Sequence, residues 1–569
     1  MTRPTWKRVV QAIAMLLTLH LVILAGPGAA SAAPSYALIQ GSGSSWAANA
    51  LNQWVADVDA KGMRVVYTAN GAAQGRKDYA NKSTDFGVTD SPYRGKDPST
   101  GAVDSPLGRS FAYLPVVAGG TSFPYHVEVG GELVRNIRLS GETIAKIFTN
   151  QITNWNDAAI TADNNGHALP SIPMIPVVRA DGAGVTNQFT TWMVSQYPSY
   201  WAACNGGKNA ATDYYPVNCG EARGQMKAQS GSDGVMNFVK SDGSNGSIAM
   251  EEYSYPLQAN FPVAKMLNKA GYYTLPTQYN VAVALTAAEI NNNASDPNYL
   301  TQKLDRVYVN PDKRTYPLSS YVYAIIPTAA DDSRMTTAKR QTITDFLKHS
   351  ICEGQSEVGP IGYSPLPINL VQASFTQVNK LKLADPAVSF DASIIQNVKD
   401  CHNPTFVAGK PQQNYLATIA PMPPECDKPG AGPCGADEGT ANDNPDENGD
   451  PPDNDGGGNG GNNNSGGNNN DGTGNDTEDG AVVPAAPTVD TDGDGVADAP
   501  AAGSDPSLGG GTTTTGDGST TGVAVATTVS ADSAAGSTKV LTALVIGLFL
   551  GALVVPTMVG QAARRRGHR

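Results

Sequence analysis

Ser35 to Val58, SYALIQGSGSSWAANALNQWVADV, reads as an apolar strand, a Gly-Ser turn and then a helix. Leu51, Trp54, Val55 and Val58 fall at i, i+3, i+4 and i+7, the spacing of one helix face. Ser44 and Ser45 therefore stand at the helix N-terminus, beside backbone N–H groups without partners in the helix. Such an end attracts anions through its dipole and its free donors. A simple serine cap is the other reading.

Two more junctions repeat the pattern. In the first, Met63 to Tyr67 is a strand, Asn70 to Gly75 turns into a short helix bearing Arg76, and Asp85 to Val88 is another strand. Asp90 follows that strand's end, where open α/β sheets bind ligands. As a residue before Ser91-Pro92 it reads equally as a turn former. In the second, Ile175 to Arg179 is a strand running into Asp181-Gly182-Ala183-Gly184, and then a helix with Val185, Phe189, Trp192 and Met193 on one face. Arg179 offers a planar fork suited to an oxyanion, and Asp181 either orients that fork or caps the helix. From about Pro34 to Ala408, short β-branched runs alternate with amphipathic stretches, which predicts an α/β fold.

The two ends differ from this body. Arg3, Lys7 and Arg8 precede an apolar run that closes on Ala30-Ser31-Ala32, the layout of a cleavable signal peptide; a retained anchor is the alternative. Val540 to Gly560 is an uncharged apolar run of membrane-spanning length, followed by Arg564, Arg565 and Arg566. Basic flanks stay cytoplasmic, so the tail is expected inside and everything before Lys539 outside. Residues 437–538 are Gly, Asn, Asp and Thr with 19 acidic residues and no Lys or Arg. That composition buries too little apolar surface to fold and accounts for the net charge of −13. Within it, Asp490, Asp492, Asp494 and Asp498 have calcium-loop spacing but lack the twelfth-position glutamate, so the choice lies between weak calcium binding and solvated linker.

Six cysteines lie in the exported part, and the expected pairing joins sequence neighbours: Cys204 with Cys219, Cys352 with Cys401, and Cys426 with Cys434. His126, His167, His349 and His402 sit in no nucleophile motif or metal spacing, and no basic stripe suggests nucleic acid. No cofactor is expected.

These residues resemble the phosphate-binding components of ABC importers, PstS-like proteins of the type II periplasmic-binding-protein fold, in an actinobacterial-type membrane-anchored form. The likeness rests on GSGSSWAANALNQW, DFGVTDSP, VVRADGAGVTNQFT, ITNWNDAAI, GSIAMEEYSY and YPLSSYVYAIIP, in that order between about Leu38 and Ala408. It implies two lobes joined by two crossovers that close on phosphate by hinge motion. It also implies that Asp90 accepts a proton of the anion, which an unprotonated sulfate cannot offer. The implied binding set is Ser44, Ser45, Trp46, Arg76, Asp90, Arg179, Asp181, Ala183, Gly184, Val185 and Thr186. Three positions depart from the family, because Ala73, Ala183 and Val185 stand where it has hydroxyl donors. Arg76 is the candidate for a compensating charge.

The expected organisation is a signal peptide over 1–32, a first lobe from 33–111 and 316–408, and a second lobe over 112–315. A Cys-containing extension (409–436), the disordered tether (437–538), a transmembrane helix (540–560) and a basic cytoplasmic tail (561–569) follow. The expected partners are inorganic phosphate or a related oxyanion and the permease subunits of the importer, with the protein itself a monomer. Two rival functions are a non-transport surface sensor or adhesin with a worn cleft, and a secreted phosphatase.

Overall fold

The computed structural model describes residues 36–96, 103–217, 219 and 226–434. The expected signal peptide, tether, calcium-loop aspartates, membrane span and tail lie outside them. Among the described residues no helix is long and apolar enough to cross a membrane.

The architecture is mixed α/β, and two of the sheets among the described residues position the site. Strands β1 (Ile39–Gly43), β2 (Val65–Thr68), β3 (Phe86–Thr89), β4 (Phe111–Ser122), β8 (Glu251–Glu252) and β9 (Ser319–Pro327) form the larger, in the order β8-β4-β9-β3-β1-β2. Its β1, β2 and β3 are parallel, while β9 runs antiparallel to β3 and β4. The smaller sheet is all parallel, with β5 (Ile175–Arg179) between β6 (Lys227–Gln229) and β7 (Ser247–Ala249).

Strand composition explains the placement. β4, FAYLPVVAGGTS, and β9, SSYVYAIIP, are buried almost throughout, as expected of central strands covered on both faces. Helices α1 (Ala48–Asp59), α5 (Thr337–Ile351) and α6 (Ile368–Ala384) cover the large sheet, with α5 packed on α1 and α6 on β4. Trp54 on α1 is fully buried, and its indole N–H donates to the Gly354 carbonyl at 2.9 Å.

The lobe boundaries are corrected by β4. The first lobe was expected to end at 111, yet β4 stays in the large sheet through Ser122 and pairs with β9 along its length. The chain leaves that sheet after Ser122 and first returns at Glu251, which pairs with Ser122 itself. Helix Gln278–Leu285, inside the expected second lobe, also packs on β9 and β4. A continuous apolar run announces a central strand without saying in which sheet it is central.

All three expected disulfides form, with Cα–Cα distances of 4.5 Å for Cys204–Cys219, 4.5 Å for Cys352–Cys401 and 5.2 Å for Cys426–Cys434. The extension is folded onto the body. Its helix Tyr415–Ile419 packs on Gln278–Leu285, and Arg138 and Lys265 hold the Cys426 carbonyl and the Asp427 carboxylate at 2.7 and 3.0 Å.

Helix α2 (Ala72–Ala80) lies against β1 so closely that a Cβ on Gly75 would sit 2.3 Å from Gly43 Cα and 2.7 Å from the Ser42 carbonyl. Gly75→Ala should therefore cost about 1–3 kcal/mol through overpacking. The expected readout is a lower urea midpoint at unchanged slope, and an unshifted midpoint would show that the α2–β1 contact yields freely.

Candidate functional site

The three glycine-turn junctions converge. At the first, Ser44 Oγ accepts the Ala47 N–H at 3.3 Å and donates to Asp90 Oδ1 at 3.0 Å. The Ser45 and Ser232 hydroxyls lie 2.9 Å apart. Trp46 is buried edge-on against Tyr363, and its indole N–H has no partner. At the second, the Ala73 N–H donates to the Gly182 carbonyl at 3.1 Å, joining the second junction directly to the third. Gly71 has φ +95°, and a Cβ there would meet Asp181 Oδ2 at 2.6 Å, so only glycine fits.

Asp90 is 2 % exposed. Ser44 satisfies its Oδ1, its backbone carbonyl accepts from Gln188 Nε2 at 2.7 Å, and its Oδ2 has no partner. Burial pushes the carboxyl up to about 6, against the pull of the Ser44 hydroxyl and the Arg179 and Arg76 charges. The Oδ2 atom rests on Gly184, where any Cβ would approach it to 1.8 Å.

Gly184 opens helix α3 (Gly184–Gln196). Ala183 caps it without a side-chain bond, so the first N–H groups, at Gly184, Val185 and Thr186, have no acceptor within the helix. Thr186 Oγ1 is buried without a partner. Arg179 ends β5, where Asp181 grips its Nε and Nη2 at 2.8 and 2.5 Å. Asp181 thus orients the fork; it does not cap α3. Arg179 Nη1 donates to Ser232 Oγ at 3.3 Å. An arginine fork, open helix ends and one buried acceptor oxygen together suit a small oxyanion carrying a proton. Among the described residues no cluster of three or more His, Cys, Asp or Glu could hold a metal.

A family model for the PBP superfamily domain matches residues 28–353, more than half of the chain. The chain belongs to the PBP superfamily. Curated relatives include the phosphate-binding protein PstS 3 of Mycobacterium tuberculosis, 29% identical over 346 residues, covering 60% of this chain and 86% of the relative. Its counterpart in Mycobacterium leprae has the same identity and coverage. The phosphate-binding protein PstS of Methanocaldococcus jannaschii is 28% identical over 362 residues, covering 61% and 87%.

Within this PBP-superfamily cleft Arg76 departs from expectation. Its Nε donates to both Asp104 oxygens at 3.1 Å, its Nη1 to Thr89 and Ser91 at 3.0 Å, and its Nη2 to Asp213 at 2.5 Å. No direction is left for a compensating bond to an anion. Arg76 instead braces α2 against the Cys204–Cys219 loop, whose Asp213 also accepts from Asn187 at 2.8 Å. Ala73, Ala183 and Val185 bring no side-chain donors.

Two residues at the cleft were not singled out from the sequence. Ser232 lies in α4 (Gly231–Val239), and the preceding Ser-Gly turn carries the same signal as the other three junctions. Glu251 sits in the GSIAMEEYSY block, where nothing local marks it as facing the cleft.

Burial holds the Asp90 carboxyl above its ordinary value of 3.8, so ionised Asp90 weakens the empty protein as pH rises through the window from 3.8 to about 6. Asp90→Asn should remove that cost. Without ligand, the variant is expected to be about 3 kcal/mol more stable than wild type at pH 8, the two converging near pH 4. Equal denaturation curves at pH 8 would mean that the lone Oδ2 is satisfied in the empty cleft.

Proposed function

We propose that this chain captures inorganic phosphate outside the membrane and passes it to an ABC-type importer, closing around the anion by hinge motion. The observation that carries the reading is the unpaired, buried Asp90 Oδ2 facing the open N-terminus of α3, with Arg179 held ready by Asp181. A protonated phosphate gives that oxygen the hydrogen bond it lacks, and sulfate does not. Against sulfate the cleft would keep an unsatisfied buried acceptor, a penalty of about 1–3 kcal/mol. Curated relatives are named phosphate-binding proteins, and the chain spans most of their length.

In this reading Ser44 positions Asp90, while Ser45, Thr186, Arg179 and the N–H groups of Trp46, Gly184 and Val185 donate to the oxygens. The two lobes meet at the β4 and β8 crossings, and a C-terminal membrane anchor presents them from the outer face of the cell on the 437–538 tether. The protein acts as a binding protein, with the permease as its membrane partner.

A non-transport sensor or adhesin is favoured by one specific observation, the loss of hydroxyls at Ala73, Ala183 and Val185. Uptake measurements separate the two, since a transport component lowers phosphate uptake when deleted. The phosphatase reading has less support. His126 is tied to the Val239 carbonyl and Glu128, and His349 to Asp57 and Glu353.

Isothermal titration of the full chain should give phosphate binding at about 10 μM or tighter, roughly −7 kcal/mol, with no heat from sulfate. Arg179→Met should weaken binding by at least about 100-fold through loss of charge-assisted bonds. No heat with millimolar phosphate would remove the proposal.

A further inference from the structure

The cleft contains a second buried acid. Glu251 lies on β8, where the chain first returns to the large sheet, and it is fully buried. Its Oε1 accepts the Glu252 N–H at 2.9 Å, and its Oε2 has no partner. Helix α4 packs on β8 and brings Ser232, which is bonded to Ser45 and Arg179, near enough for its hydroxyl to draw the Glu251 carboxyl down. Glu251 therefore stands one hydroxyl behind two groups assigned above to the anion.

Charge decides what such an acid can do. Arg179 faces it from β5, Asp181 from the following turn, Tyr255 from the helix Ser254–Gln258, and Glu252 from its own strand. That is one cation, already paired with Asp181, among several acids. An arriving anion would meet ionised Glu251 in a low-dielectric pocket, where like charges repel strongly. A neutral Glu251 removes the repulsion and adds an O–H donor, in a cleft where Ala73, Ala183 and Val185 supply none.

We propose that Glu251 is the proton-carrying specificity residue of this cleft: it meets the anion as the neutral acid, linked through Ser232, so that each capture draws one proton from solvent onto its carboxylate. The proposal rests on the oxyanion reading above. Burial pushes the Glu251 carboxyl up to about 7, against the opposing pull of Arg179 and Ser232, so the empty site loses this proton near neutral pH. An anion alongside raises it further. Binding is then fully supported below that point and weakens as pH rises through it. The one bond formed is the carboxyl O–H, its proton taken from solvent; the balance is carboxylate plus proton plus anion giving the acid and bound anion.

The test is titration of the full chain with inorganic phosphate between pH 6.5 and 8.5, in buffer pairs of different ionisation enthalpy. Wild type and Glu251→Gln are compared. Phosphate itself loses a proton near neutrality, and that contribution is common to both. Near pH 8 wild type should take up about one more proton per phosphate than E251Q, and its affinity should fall about tenfold more per pH unit. Glu251→Val, an apolar replacement that needs no hydrogen-bond partner, should show the same flattened slope and serves if E251Q does not fold. Variants whose slope and proton count track wild type overturn the inference while phosphate capture stands. Wild type that binds no phosphate removes the capture reading, and this inference falls with it.

Discussion

A carboxylate oxygen kept from water with nothing to accept is expensive, and the fold is arranged around one. Asp90 Oδ2 lies between the Ser44 bond on its own carboxyl and the backbone of Gly184, with Gln188 holding the aspartate's main chain. A buried, unsatisfied polar group costs about 1–3 kcal/mol. The strand that delivers Asp90, the helix that presents Gly184 and the serine that fixes the carboxyl come from three separate stretches of chain. In the proposed reading, a protonated guest gives that oxygen the bond it lacks.

The large sheet makes the meeting rigid. β3 ends at Thr89 between β1 and β9, and β4 and β9 form the buried centre. α2 lies against β1 with no room for a side chain at Gly75. Arg76 on α2 then reaches Asp213, spanning 137 positions of sequence. This buried pair is a structural brace, because its five N–H donors are spent on protein acceptors. A buried arginine of this kind is tolerated only with its partners in place.

The parts of this arrangement encoded locally could be read from the sequence. The strand, turn and helix of each junction follow from hydrophobic spacing and glycine position, and the folded chain brings Ser44 to Asp90 and Arg179 to Asp181. The pairing of cysteine neighbours also matched. What escaped depends on partners far along the chain. Arg76 looked available because Asp104 and Asp213 are invisible from AAQGRKDYA. β4 was assigned to the wrong half because a run of buried residues does not name its sheet. Glu251 carries no local signal, since only the folded chain packs helix α4, with its Ser232, on β8.

The extension touches both halves of the domain. Tyr415–Ile419 packs on the helix Gln278–Leu285, which belongs with the large sheet, while Arg138 and Lys265, from the three-stranded sheet Arg138–Leu139, Lys265–Leu267 and Tyr273–Thr274, grip Cys426 and Asp427. Asn136 also donates to the Cys434 carbonyl at 3.2 Å. Mechanical load passing through residue 434 therefore enters at the Arg138 side, and the Cys426–Cys434 bridge shortens the length of backbone that such a pull can strip away.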